Sequence, residues 1–271
     1  MLKIFTLNWK APELLQNLIT STLPNLTNID YEWYVRDNAA TIDSEDSKIL
    51  AKYAQIKVLS VDHNRDNFSQ GMNSLFNISN SQDDDYILLL NNDIFFKDNT
   101  SIKNMIKLME SDSEIGVVGA KLNYKNSKKI QHCGVVFKPH EGGYVPLHLD
   151  DQINEEKHHR KNREFQVVTG AVWLTKAKYY KDISPSGGLD VKFHWAFDDV
   201  AACLSIKNGK HKKKIMYCGS TNIEHESSAS LKKNPSNKMF LNQNYQFLMK
   251  DFKNVIIADQ HLYQNKNYKV V

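Results

Sequence analysis

The stretch Tyr86-Ile-Leu-Leu-Leu-Asn-Asn-Asp93 constrains the fold of this chain more than any other. Residues 86–90 are apolar without alternation, the pattern of a strand buried on both faces, as in a parallel sheet covered by helices. The run stops in two amides and a carboxylate, Asn91, Asn92 and Asp93. A core strand therefore delivers polar groups to the carboxyl end of a sheet, where open α/β sheets bind ligands. The ordinary alternative is that these residues only close a turn, for which Asn and Asp are well suited.

The chain leading to this strand alternates regularly. Residues 2–7 read as a first buried strand with the polar exit Asn8-Trp9-Lys10. Pro12 opens a helix, since its missing N–H costs nothing in a first turn, and Leu14, Leu15, Leu18 and Ile19 follow at helical spacing. Residues 31–35 form a second strand ending in Arg36-Asp37-Asn38, followed by a helix over about 47–54. Residues 56–61 form a third strand that runs into a polar segment, 62–67. Phe68 then starts a helix to about Ile78 that carries Gly71-Met-Asn73, and a further helix and short strand are expected over 101–110 and 115–119. This order predicts an α/β fold with a mostly parallel central sheet flanked by helices. Polar residues gather after four successive strands, at Asn8, at Asp37 and Asn38, at 64–67, and at 91–93, the outline of a nucleotide pocket. Neither GxGxxG nor GxxxxGK[ST] occurs, so no dinucleotide fingerprint or P-loop explains it.

After residue 119 the alternation decays. Residues 138–165 hold few aliphatics, a Gly142-Gly143 pair and a charged string, and read as a long mobile loop. Within it, His158-His159-Arg160-Lys161 is either a phosphate contact or a solvated face. Residues 166–174 return to strand character, and Gly170-Ala171 would let a ligand approach the backbone. In Phe193-His-Trp-Ala-Phe197-Asp198-Asp199 an aromatic run precedes adjacent carboxylates that enter a helix. They either complement the helix dipole or supply a general base tuned by burial and by each other. Residues 215–218 are a strand, and downstream His225 sits between Glu224 and Glu226. Leu241, Tyr245, Leu248 and Phe252 share one helical face, which packs on the domain or, with Lys232, Lys233, Lys250 and Lys253, rests on an anionic membrane. The basic run Lys210-His-Lys-Lys-Lys214 is a solvated turn or a contact for a lipid-linked diphosphate.

Bulk properties exclude several classes. No run in the 271 residues has the apolar length that spans a bilayer, and the hydrophobic share of 41% with 24% charged residues suits a globular domain. The first strand begins almost at Met1, leaving no room for a secretory leader, so a cytoplasmic location is expected, with peripheral contact at the inner membrane as the extension of that reading. A net charge of +4 is too mild to argue for nucleic acid. Cys133, Cys203 and Cys218 lack metal-type spacing and read as reduced core thiols.

Taken together, Leu7-Asn8-Trp9, Val35-Arg-Asp37-Asn38-Ala39, Gly71-Met-Asn73, Leu90-Asn-Asn-Asp93, Thr169-Gly170-Ala171, Phe197-Asp-Asp199-Val200 and Ile223-Glu-His225 followed by Ser228 resemble a family-two inverting glycosyltransferase of the glycosyltransferase A fold, close to bacterial rhamnosyltransferase-like members. The resemblance covers residues 2–230. It implies a glycosyltransferase A domain over 1–230, with a nucleotide-sugar-binding half (1–120) and an acceptor half (121–230), and a C-terminal helical extension over 231–271. It implies that Asn8, Asp37, Asn38, Asn73, Asn91 and Asn92 surround a UDP- or dTDP-linked sugar donor. Asp93 and His225 would hold Mn²⁺ or Mg²⁺, and Asp199 would be the catalytic base with Asp198 beside it. The acceptor would be a carbohydrate or lipid-linked glycan in bacterial surface-polysaccharide or lipopolysaccharide assembly. Two departures stand out: the first acidic position of the metal motif is Asn91, and the usual Glu-Asp pair is Asp198-Asp199. A sugar nucleotidyltransferase, or a non-catalytic glycan- or nucleotide-binding module, are the rival readings.

Overall fold

The computed structural model describes residues 1–226 and 240–263. The apolar strands of the first third pair side by side as their burial demands: β1 (Leu2–Trp9), β2 (Tyr31–Asn38), β3 (Ile56–Val61) and β4 (Tyr86–Asn91) are parallel, in the order β4-β1-β2-β3. The chain then adds β5 (Ile94–Phe96), β6 (Ile115–Tyr124), β7 (Ile130–His132), β8 (Val135–His140), β9 (Gly143–His148), β10 (Arg163–Phe165), β11 (Val172–Lys176) and β12 (Lys214–His225). The ten-stranded sheet runs β10-β12-β6-β11-β4-β1-β2-β3, with β5 beside β12 and β7 beside β6. Along that path only β10 and β11 run against the rest, so the expected mostly parallel α/β sheet is present.

Side-chain alternation sends the strands into two cores. Phe5, Ile87, Leu89 and Trp173 face one cluster, with Met72 and Leu75 of α3 (Phe68–Ile78) and Leu204 of α6 (Asp198–Asn208). Ile4, Leu88, Leu90 and Leu174 face the other, with Leu15 and Leu18 of α1 (Pro12–Thr22) and Met105 of α4 (Ser101–Glu110). Burial on both faces explains why β4 is apolar at every position; each such side chain contributes about 1.5–3 kcal/mol. A capping box fixes the start of α3: Asn67 Oδ1 accepts from Gln70 N and Gln70 Oε1 from Asn67 N, both at 2.9 Å. The three cysteines are buried and unpaired.

Several boundaries differ from the sequence reading. Strand β2 runs on to Asn38, so Asp37 and Asn38 belong to the sheet itself. The second helix, α2, is Glu45–Leu50, started by the Ser44 cap rather than at 47. Residues 138–165 are not a structureless loop. They hold most of the β8–β9 hairpin, a 3₁₀ turn (Lys157–Arg160) and β10. The hairpin turns through Gly142 at φ +83° and is held from far along the chain. Tyr144 N donates to Met249 Sδ at 3.3 Å and Phe137 N to Asp259 Oδ1 at 2.7 Å; no local apolar pattern reports such contacts. Residues 166–171 lie outside the strand, which begins only at Val172.

The C-terminal helix, Phe240–Phe252, does pack on the domain, burying Leu248 against the first core. Lys210, Lys213 and Lys214 pair with Asp182, Glu114 and Asp112, as a solvated turn would. Ser228, Lys232 and Lys233 lie outside the described residues. No helix among the described residues is long and apolar enough to cross a membrane.

Gly119 sits where β6 passes the segment leading into β11, and a Cβ there would stand 2.5 Å from Val168 Cβ. Overpacking of this kind costs about 1–3 kcal/mol, so Gly119→Ala should lower the urea midpoint accordingly. An unchanged midpoint would show that the 168–170 segment yields freely.

Candidate functional site

A cavity of about 820 Å³ opens at the carboxyl ends of β1, β2 and β4. One wall is an amide network. Asn8 donates through Nδ2 to Asp37 Oδ1 at 2.9 Å and to Asp46 Oδ1 at 2.7 Å, while its Oδ1 accepts from Asn92 Nδ2 at 3.0 Å. Two buried carboxylates thus share one amide. Burial is the main reason that the Asp37 carboxyl is held above its ordinary range; the Asn8 hydrogen bond opposes this and the Asp46 charge adds to it. Asp37 Oδ2 is buried without a partner among the described residues, an acceptor in want of a donor. Asp37 stands behind Asn8 rather than on the cavity lining, whereas Asn8, Asn38, Asn91 and Asn92 line it.

Asn38 is oriented from both sides. Arg36 Nε donates to its Oδ1 at 2.9 Å, and its Nδ2 donates to Asn64 Oδ1 at 3.0 Å. Arg36, only 4% exposed, also donates to Ser74 and pairs with Asp66. The structure does not bring Asn73 to the cavity. Its Oδ1 accepts from Tyr180 Oη at 2.9 Å and Leu189 N at 2.8 Å, and its Nδ2 donates to Leu189 O at 2.8 Å. Asn73 staples α3 to the 187–189 turn instead. Its position on a helix flank, one turn beyond the residues that reach the cavity, is what the one-dimensional pattern concealed.

Asp93 and His225 meet across 132 residues, with Asp93 Oδ1 at 3.0 Å from His225 Nε2. Antiparallel pairing of β5 with β12 sets the register, His225 opposite Ile94, and Glu226 N closes it on Asp93 O at 3.0 Å. Gln131 Oε1 lies 2.6 Å from His225 Nδ1 and orients the ring from its other side. Its Nε2 faces a carboxylate oxygen of Asp93. That contact is an ordinary hydrogen bond when Nε2 carries the proton, and the same two atoms can instead share a divalent cation. An oxygen and an imidazole nitrogen on the cavity wall suit a divalent cation that completes its shell from a ligand.

Asp198 and Asp199 form the first turn of α6 and line the same cavity. Asp199 Oδ2 accepts from Gly170 N and its Oδ1 from Val200 N, each at 2.8 Å. A Cβ on Gly170 would lie 3.1 Å from Asp199 Cβ, so the close approach expected of Gly170 admits the carboxylate. Asp198 has its carboxyl pushed up to about 7, chiefly by burial and then by the Asp199 charge beside it. The aromatic run splits: Phe193 is buried in the core, while His194 and Trp195 line the cavity.

Backbone geometry marks this corner. Trp195 and Phe197 have φ of +74° and +68°, a left-handed conformation that is costly for bulky residues and persists only where the surroundings enforce it. Asn244, fully buried on the C-terminal helix, supplies the enforcement, with its Nδ2 donating to His194 O at 2.6 Å and Ala196 O at 2.9 Å. Asn244, Arg36 and Asp46 were missed from sequence. Only an amide on the apolar face of an amphipathic helix hinted at the first.

The His158–His159 cluster is not a phosphate contact. His159 is fully buried, its Nδ1 accepts from Glu156 N at 2.8 Å, and its Nε2 lies 3.0 Å from Asp150 Oδ2. Cys133 lies close to both, but its thiol donates to Leu149 O at 3.0 Å and burial pushes its pKa up. With both imidazole nitrogens engaged and the thiol protonated, this cluster is a poor cation site.

No protein-family model matches the chain, and no curated protein does. Solved structures match its fold. The mannosyltransferase PcManGT from Pyrobaculum calidifontis, in complex with GDP-Man and Mn²⁺, has a TM-score of 0.62 at 9% identity over 97% of this chain and 70% of that one. TarS 1–349 from S. aureus, in complex with UDP, has a TM-score of 0.57 at 12% identity over 96% and 76%. The described chain thus has the mixed α/β fold of these nucleotide-bound structures.

Asp198 gives a stability test. Its carboxyl keeps its proton to about pH 7 when folded, against a reference of 3.8, so the folded state binds the extra proton between those values. Stability from this group is full below the lower value and is lost as pH rises through the upper one. Asp198→Asn should therefore gain on the parent in urea midpoint between pH 5 and pH 8. A difference that stays flat over that range would contradict the raised pKa.

Proposed function

We propose that this chain transfers a sugar from a nucleoside-diphosphate donor to a carbohydrate hydroxyl, with inversion at the anomeric carbon. The observation that carries the reading is that the Asp93–His225 pair and the Asp198–Asp199 pair face one cavity whose remaining wall is the Asn8–Asn38–Asn92 amide network. The structures sharing this fold were solved with GDP-Man and with UDP, which supports a nucleotide-linked donor.

In this reading the amide wall holds the nucleoside, and Asp37 Oδ2 accepts from it once Asn92 and Asn8 shift to admit the base or ribose. A UDP- or dTDP-linked hexose or deoxyhexose is the donor we favour. Asp93 and His225 would hold Mn²⁺ or Mg²⁺, which would neutralise charge on the leaving diphosphate. Asp199 takes the proton of the acceptor hydroxyl as that oxygen bonds to the anomeric carbon, while the carbon–oxygen bond to the diphosphate breaks on the opposite side. The Gly170 and Val200 N–H groups fix this carboxylate while leaving each oxygen a further lone pair. Asp198 acts beside it, its shared charge keeping the two from ionising together. The donor half is then residues 1–120 and the acceptor half 121–230, with the product destined for a bacterial surface glycan assembled at the cytoplasmic face of the membrane.

Two measurements test this. In calorimetry with UDP, Mn²⁺ should tighten binding to the parent; Asp93→Asn should abolish that gain and His225→Ala reduce it. Binding indifferent to chelation would remove the metal from the proposal. In turnover, Asp199→Asn should lose about 10²–10⁴ in rate, the usual worth of a general base, with UDP affinity kept. If Asp198→Asn is dead and Asp199→Asn is active, the two roles are exchanged; if both stay active, neither is the base.

A further inference from the structure

Behind the carboxylate wall runs a chain of hydrogen bonds that the proposed transfer does not use. Thr169 N donates to His132 Nε2 at 3.3 Å, and His132 Nδ1 lies 3.0 Å from His148 Nδ1. His132 is 1% exposed, with the rings of His148 and Tyr217 edge-on to it at 5.0 and 6.3 Å. No carboxylate among the described residues hydrogen-bonds to it, and burial holds its pKa well below the ordinary value, so the ring is neutral and carries one proton. Nε2 is already an acceptor, which leaves that proton on Nδ1, pointing at His148. His148 Nδ1 must then accept. An imidazole that accepts at Nδ1 carries its proton on Nε2, so His148, at the exposed end of β9, presents an N–H there. That nitrogen has no partner among the described residues, and His148 lines the cavity.

We propose that the Thr169 backbone, acting through His132, fixes His148 as a one-way N–H donor that holds an oxygen of the acceptor carbohydrate. The inference rests on the transfer reading for the identity of the ligand, but the direction of the relay does not. The side of the cavity follows from placement. Thr169 adjoins Gly170, whose N–H holds Asp199, and the Asp199 charge acts on the His148 ring. The amides of Asn8, Asn38 and Asn92 come from other strands. A histidine beside a catalytic carboxylate would ordinarily compete for the acceptor proton. Here its only basic lone pair is turned inward and spent on His132, so it binds and orients a hydroxyl but leaves deprotonation to the carboxylates. The His148 hairpin, β8–β9, is in turn clamped by the C-terminal helix through Met249, so this helix supports both the acceptor donor group and the Trp195–Phe197 corner.

The test uses the full chain, ¹⁵N-labelled, with long-range imidazole correlations at pH 7. His132 should be protonated on Nδ1 and His148 on Nε2. Adding a panel of methyl hexosides to the UDP-bound protein should move the His148 Nε2–H resonance, and UDP alone should leave it in place. His148→Phe should weaken glycoside affinity about 2- to 10-fold, the range for a single hydrogen bond, with partial recovery in His148→Gln, which keeps an N–H. His132→Phe, folding checked by its backbone spectrum, should release His148 into mixed tautomers. A His148 proton on Nδ1, a response to UDP alone, or indifference to every glycoside would overturn the proposal. Failure of UDP to bind at all would count against the transfer reading and leave the tautomer result to judge the relay by itself.

Discussion

Strand β11 enters the sheet against both of its neighbours, pairing antiparallel with β4 through Val172–Leu90 and with β6 through Trp173–Gly119. Because it runs backward, its starting end lies at the same edge as the finishing ends of the parallel strands. Asn91 N bonds Ala171 O at 3.0 Å there, placing Thr169-Gly170-Ala171 beside Asn91 and within reach of α6. Had β11 been parallel, Gly170 would lie at the opposite edge, and Asp199 would lose the N–H that orients it. The cavity walls are thus a consequence of strand direction, with ligand-facing groups gathered where the topology switches.

The polar groups at that edge are satisfied mostly by one another. Asn8 serves two carboxylates and one amide, Arg36 serves Asn38, Ser74 and Asp66, and Gln131 serves His225. Buried polar networks are costly when incomplete, so a gap is informative. Asp37 Oδ2 lacks a donor among the described residues. That gap lies just behind the cavity. The carboxylate pair adds a second tension, with Asp198 holding its proton to about pH 7 chiefly through burial and then through the Asp199 charge beside it.

The C-terminal helix, Phe240–Phe252, is built into this arrangement. Asn244 restrains the left-handed Trp195 and Phe197, Phe240 stacks on His194 with centroids 5.0 Å apart, and Met249 meets the β8–β9 hairpin. Strain at Trp195 and Phe197 is tolerable because buried hydrogen bonds from this helix hold both flanking carbonyls. Deleting the helix would remove packing from the first core and release the corner that carries Asp198 and Asp199.

The sequence by itself determined the parallel half of the sheet, because burial on both faces leaves a continuous apolar signature that local periodicity can read, as in residues 86–90. It also marked Asn8, Asn38 and Asn91–Asp93, since polar residues ending such strands have one place to go, and Asp198–Asp199, since paired acids opening a helix exceed what capping needs. It misjudged residues 138–165 and Asn73. The hairpin there is held by Met249 and Asp259, and Asn73 is spent on Leu189, contacts between residues more than a hundred positions apart. Only the tertiary structure decided that Asn244 reaches the Trp195 corner and that His132 turns His148 into a donor. Hydrogen-bond direction and strand register are properties of pairs, and no single residue or local period records which partner folding will bring to it.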